Sequence, residues 1–243
     1  MTEPSADPSM SSRHDAIAAA RGSAVVADIR RSRLIIVLRR VEPRPRLLEL
    51  VSELVEAGAR VFEVTLDGDD APSDLAAVGE LLADLPPSSG ARAWVGAGTV
   101  RTVDQVHAAY QAGAAFGVSP VFDQGVLDAA LALGMPFMPG ALSPTEIDAA
   151  WRAGAALVKV FPGSSVGPSH LREVRGPFRD IDLVVTGGVD LGNAAAFLEA
   201  GATAVGIGSA ILRATPAERA ELIHLVARTS EAGGSARSPD TSA

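Results

Sequence analysis

Short apolar runs alternate along most of the chain with longer stretches of helical spacing, and a repeated punctuation joins them. Glu56-Ala57-Gly58-Ala59, Gln111-Ala112-Gly113-Ala114, Arg152-Ala153-Gly154-Ala155 and Glu199-Ala200-Gly201-Ala202 each close a helical pattern and open an apolar run. A glycine just past a helix accepts the left-handed conformation that ends the last turn, after which the chain can extend into a strand. Each gap between these junctions holds two strand–helix units: Gly134 divides the middle gap, and the turn-rich stretches Pro86 to Gly90 and Arg175 to Pro177 divide the outer two. Seven junctions predict eight strands, near 33–38, 60–65, 93–97, 115–118, 136–139, 156–161, 182–186 and 203–207. Their apolar character on both faces suits a parallel sheet covered by helices. Alternation of strand and helix gives a closed barrel or an open doubly wound sheet. Eight even units predict the closed form, an α/β fold of the (β/α)8 TIM-barrel class. Helices are expected to begin near Pro45, Pro72, Thr102, Asp123, Ser143 and Asp190, several of them residue types that start or cap a helix. Residues 14–31 read as one extra amphipathic N-terminal helix. Tail-like composition predicts disorder over 1–13 and 231–243, leaving 14–230 as a single barrel domain.

Composition agrees with that frame. A chain of 243 residues with 47% hydrophobic content suffices for one sizeable core. The absence of cysteine removes disulfides, thiolate metal sites and a cysteine nucleophile. The stretch from Met1 to Asp15 lacks the apolar core of a secretory signal, and the longest aliphatic run, Leu34 to Leu38, falls far short of the ~20 residues that cross a bilayer. A soluble, cytoplasmic protein is expected. A formal net charge of −8 offers no basic footprint for nucleic acid. His14, His107, His170 and His224 show no metal-ligand spacing and read as helix-surface residues.

Two charged residues interrupt the apolar runs. Lys159 stands within Ala156-Leu157-Val158-Lys159-Val160-Phe161, and Glu63 within Val61-Phe62-Glu63-Val64-Thr65. Burying either charge without a partner is costly, and a buried lysine tends to neutralise into a nucleophilic amine able to condense with a ketone. A lysine can instead pack its stem on apolar surface and send its head to water. Glu63 can equally be half of a buried ion pair or accept backbone hydrogen bonds. Pleat parity puts Glu63 on one face with Val61 and Thr65, and Lys159 with Leu157 and Phe161, so both can look into the barrel. In parallel barrels the reacting groups sit at the C-terminal strand ends. There the sequence carries Gly96-Ala97-Gly98-Thr99-Val100, Ser119-Pro120, Pro139-Gly140, Thr186-Gly187-Gly188 and Gly208-Ser209. Glycine turns after the last two strands suit a phosphate bound by backbone N–H groups.

Glu63-Val64-Thr65-Leu66, Gly96 to Val100, Ser119-Pro120, Pro139-Gly140, Lys159-Val160-Phe161-Pro162 and Thr186-Gly187-Gly188, in that order, resemble the signature of the class I 2-keto-3-deoxy-6-phosphogluconate (KDPG) and 4-hydroxy-2-oxoglutarate (KHG) aldolases, over about Leu34 to Leu212. Leu38-Arg39 and the stretch Phe161 to Pro168 look nearest the 2-keto-3-deoxy-6-phosphogalactonate branch. The resemblance implies Lys159 as Schiff-base lysine and Glu63 as general acid/base through a bound water. It implies Arg39 and Thr99 on the pyruvate carboxylate, Pro120, Phe161 and Thr186 as pocket walls, and Gly187, Gly188, Gly208 and Ser209 on a distal phosphate. It also implies a homotrimer acting on a small 2-keto acid, without metal or cofactor, nucleic-acid partner or membrane.

One position departs from the family pattern. Several members carry an arginine two residues beyond the threonine of Glu-Val-Thr, where this chain has Asp67, followed by Gly68-Asp69-Asp70. A carboxylate there is expected to repel an anionic substrate, unless Arg39 supplies the cation and the acidic loop faces solvent. Two other readings therefore stand beside the aldolase: a phosphate-binding barrel isomerase or epimerase without a covalent lysine, and a paralogue with altered 2-keto acid specificity or no catalysis.

Overall fold

The apolar runs fold as strands and the amphipathic stretches as helices wrapped around them. In the computed structural model, which describes residues 8–85 and 92–233, helices α1 (Pro8–Arg21) and α2 (Ala24–Ser32) precede the alternation. It then runs β1 (Leu34–Leu38), α3 (Arg44–Glu56), β2 (Val61–Thr65), α4 (Ala71–Asp84), β3 (Trp94–Gly98), α5 (Val103–Gln111), β4 (Gly117–Val118) and α6 (Gln124–Ala132). The second half comprises β5 (Phe137–Met138), β6 (Gly140–Ala141), α7 (Pro144–Arg152), β7 (Val158–Val160), α8 (Gly167–Arg175), β8 (Leu183–Thr186), α9 (Ala194–Glu199), β9 (Ala204–Ile207), α10 (Ser209–Arg213) and α11 (Pro216–Gly233).

All strand pairs are parallel, in the spatial order β5-β4-β3-β2-β1-β9-β8-β7-β6. The two ends of that order are β5, within the fifth predicted strand (136–139), and β6, which lies just beyond it across Pro139. The chain itself thus closes the ring, and eight expected strands become nine segments. Proline has no N–H to give to a ladder, while its carbonyl still accepts the Lys159 N–H at 2.9 Å. Strand β5 pairs with β4, and β6 with β7. On either face of the sheet, large side chains of one strand fill the space left by glycines of the next. A Cβ on Gly96 would meet the Phe116 ring at 2.5 Å, and one on Gly117 the Phe137 ring at 2.5 Å.

The N-terminal segment differs from expectation. Helix begins at Pro8, inside the stretch predicted to be disordered, and it forms two helices, not one, with a break at Gly22-Ser23. Both pack beneath the ends where strands begin. Arg21 donates to the carbonyls of Ala155 (3.0 Å) and Trp151 (2.7 Å) and stacks 3.5 Å from the Trp151 ring centre. Arg30 grips Asp182 at 2.8 Å, while Val25, Val26 and Ile29 are buried.

Five of the six expected helix starts fall within one or two residues of those observed. Pro45 and Pro72 lie in the first turns of α3 and α4, and Thr102, Asp123 and Ser143 each accept a backbone N–H as N-caps. The exception is Asp190, four residues ahead of α9. Its carboxylate accepts the N–H groups of Gly192 (2.9 Å) and Asn193 (3.2 Å) and so holds a turn ahead of the helix. The junction expected at 86–90 and the outer parts of both tails lie outside the described residues. Among the described residues no helix is long and apolar enough to cross a membrane. The four histidines lie on helices, three exposed and His170 half-buried.

Candidate active site

Strand geometry carries two charges into the barrel. Glu63 sits opposite Val37 and Gly96, and Lys159 opposite Gly140 and Val184. They are 1% and 7% exposed, and both face a cavity of about 290 Å³ at the C-terminal strand ends. Arg39, Thr99, Pro120, Phe161, Thr186, Gly187, Gly188, Gly208 and Ser209 line the same cavity, so all eleven candidate residues meet there. Val37, Thr65, Val189, Gly206 and Leu212 also line it and were not anticipated. Pleat parity with Glu63 was a signal for Thr65; the others needed the closed ring.

Neither the Glu63 carboxylate nor the Lys159 amine makes a hydrogen bond or ion pair with a described residue. The reading of Glu63 as half of a structural ion pair, or as a backbone-bonded carboxylate, therefore falls. The Lys159 Nζ lies 5.1 Å from the centre of the Phe161 ring, within reach of a cation–π contact. Gly98 gives the glutamate its room, because a Cβ there would collide with the Glu63 carboxylate. Two buried hydroxyls, Thr65 Oγ1 and Thr186 Oγ1, have no hydrogen-bond partner among the described residues. Buried polar groups are nearly always paired. Two unpaired ones at a cavity wall thus mark places where a polar ligand atom or a water would bind.

The backbone is strained at the same wall. Thr99 has φ 59°, a left-handed conformation that a β-branched residue adopts at a cost of about 1–3 kcal/mol. Gly187 (φ 85°) and Gly188 (φ 76°) turn the chain after β8 through conformations open to glycine. Among the described residues no group of three or more His, Asp or Glu could hold a metal ion.

At the rim, Asp67 is paired rather than turned to solvent. Its side chain is 23% exposed and accepts a hydrogen bond from Arg39 Nε at 3.0 Å, with Arg40 Nε 3.7 Å from the same carboxylate oxygen. Arg40 Nε also donates to the Asp67 backbone carbonyl at 3.1 Å. Burial raises the Asp67 carboxyl, but the neighbouring Thr65 hydroxyl, the Arg39 charge and hydrogen bond, and its own backbone N–H together hold it below its usual value. Thr65 Oγ1 and Asp67 Oδ1 both lack a well-formed hydrogen bond, so the Arg39 contact is the firmer cause. Asp69 and Asp70 are exposed, and Asp70 pairs with Arg44.

Comparison with known proteins places this geometry. The family described as KDPG and KHG aldolase matches residues 25–226. The 2-dehydro-3-deoxy-phosphogluconate aldolase of Treponema pallidum (strain Nichols) is 35% identical over 165 residues, 68% of this chain and 73% of that protein. The 2-dehydro-3-deoxy-6-phosphogalactonate aldolase of Escherichia coli (strain K12) is 31% identical over 182 residues, 74% of this chain and 85% of that one. A crystal structure of KDPG aldolase from Legionella pneumophila, with pyruvate captured at low pH as a covalent carbinolamine intermediate, superposes with a TM-score of 0.69 at 27% identity, covering 86% of this chain and 98% of that one. The family match spans the barrel, and the chain belongs to the KDPG and KHG aldolase family of carbon–carbon lyases.

Proposed function

We propose that the chain cleaves a 2-keto-3-deoxy-6-phospho sugar acid, or 4-hydroxy-2-oxoglutarate, to pyruvate and an aldehyde through a Schiff base at Lys159. The observation that carries this reading is the pair of buried, mutually unbonded charges, Lys159 and Glu63, on one cavity wall. The Lys159 amine attacks the C2 ketone, and loss of water gives a protonated imine. That imine accepts the electron pair of the C3–C4 bond as it breaks, while the C4 hydroxyl proton passes to Glu63 through a water. The aldehyde departs, the enamine is reprotonated at C3, and water returns to release pyruvate and the free amine. Glu63 also relays protons to and from the carbinolamine oxygen. Glu63 and Lys159 line one cavity without a direct hydrogen bond, so the relay between them runs through a water.

In this reading Thr99 and Arg39 hold the substrate carboxylate, Pro120, Phe161 and Thr186 wall the reacting carbons, and Gly187, Gly188, Gly208 and Ser209 receive a distal phosphate. The lining has only two cations, Arg39 and Lys159, so the phosphate would depend on backbone N–H groups. Family membership replaces the isomerase and epimerase alternative.

Borohydride reduction in the presence of pyruvate, followed by mass spectrometry, tests the nucleophile. Lys159 should gain a carboxyethyl group, that is pyruvate plus two hydrogens less one water, and Lys159→Ala should lose both labelling and turnover while keeping its fold. An unmodified Lys159 in the native chain would refute the covalent mechanism.

A further inference from the structure

We infer that Asp67 is a positioning residue that holds the Arg39 guanidinium over the cavity so that its two terminal nitrogens face an incoming carboxylate. This deepens the proposed reading, in which Arg39 grips the substrate carboxylate, and rests on it. Arg39 projects from the end of β1 with a side chain 57% exposed. A long, water-exposed arginine samples many rotamers, and ordering it on binding opposes affinity. Here its Nε is tied to Asp67 Oδ2 at 3.0 Å. Its Nη1 and Nη2 make no hydrogen bond among the described residues. A guanidinium fixed through Nε keeps the paired donors that suit a planar carboxylate.

The anchor is itself held. Asp67 leaves β2 just beyond Thr65, and Arg40 Nε donates to its backbone carbonyl at 3.1 Å. Arg40 reaches it with φ 49°, an unusual conformation for a residue other than glycine. Two consecutive arginines of the β1 end thus converge on one acid of the β2 end, and only the first of them lines the cavity. Asp67 therefore acts at the rim as an attachment for a cation, not as a charge that turns anions away.

The test uses reductive trapping of the full chain, read as labelling of Lys159 against ketone concentration. Pyruvate carries the carboxylate; acetone is a ketone without one. In Asp67→Asn, the pyruvate concentration for half-maximal labelling should rise roughly tenfold, the scale of one oriented charge-assisted hydrogen bond. Maximal labelling at saturating pyruvate and half-saturation by acetone should stay as in the native chain. Arg39→Ala should raise the pyruvate value at least as far, and Asp67→Asn should add nothing in that background.

An unchanged or lowered pyruvate value in Asp67→Asn overturns the inference, the lowered value indicating net repulsion. Additive effects with Arg39→Ala overturn it as well. So does an equal shift with acetone, which would reveal a general structural disturbance. If the native chain fails to label at all, the Schiff-base reading goes first and the role of Asp67 with it. Native labelling with an indifferent Asp67→Asn removes the role of Asp67 alone.

Discussion

Glu63 is held by very little, which suits the proton-moving role proposed for it. The residue is 1% exposed, its carboxylate bonds to no described residue, and Gly98 leaves it room. Removing its charge while keeping its shape separates its role from that of Lys159. Glu63→Gln should lower kcat by roughly 10²–10⁴-fold, the usual worth of a positioned acid/base, while still allowing pyruvate to be trapped on Lys159 at long times. Steady-state kinetics and the labelling assay read the two effects. Loss of all trapping would mean the glutamate is needed to form the imine as well as to break the carbon–carbon bond. At this scale the sequence was informative because a charge inside an apolar strand is conspicuous. Thr65 was less so, since a threonine in a strand is ordinary until its hydroxyl is found buried without a partner. The Arg39–Asp67 pair was invisible because its members lie 28 positions apart.

Among the elements, α7 shows how local chemistry sets a boundary. Ser143 accepts the Glu146 N–H, and the Glu146 carboxylate accepts the N–H groups of Ser143 (2.8 Å) and Leu142 (2.9 Å), completing a capping box. Those bonds, from the Ser143 backbone first, then Leu142, then the Ser143 hydroxyl, hold the carboxyl below the usual glutamate value of 4.5. A depressed folded-state value means the stabilisation is complete above the unfolded pKa and is lost as pH falls through the folded one. Glu146→Gln should therefore melt a few degrees lower than the native chain at pH 7. The gap should close under increasing acid below about pH 4, and thermal melts across that range check it. Such caps were legible because they span only three or four residues. The break at Gly22-Ser23 and the separation of β5 from β6 at Pro139 were not read as breaks, although glycine and proline stood in plain view. Whether they interrupt an element depends on which neighbouring backbone needs a partner.

Across the molecule, the last helix secures the barrel by a contact no local pattern announces. Arg219 of α11, 4% exposed, bonds both carboxylate oxygens of Glu53 on α3 (2.8 and 3.0 Å) and the Ile211 carbonyl at 3.0 Å. Removing the acid leaves a buried guanidinium with one carbonyl for company. Glu53→Ala should destabilise the fold by about 2–3 kcal/mol, less than a fully buried pair because Glu53 keeps part of its surface in water. Denaturant titration would read this as a lower midpoint at unchanged slope.

By itself the sequence determined the alternation of strand and helix, the parity that turns Lys159 and Glu63 to one side, and the glycine turns after the last strands. These depend on periodicities of a few residues and on the rarity of charge in apolar runs, which act within one segment of chain. Only the tertiary structure decided that the ring closes through Pro139, that Glu63 and Lys159 stay unbonded across a shared cavity, and that Asp67 holds a cation at its rim. Those outcomes depend on distances between segments far apart in the chain, and the distances exist only once the closed barrel sets its strands at fixed spacing and register.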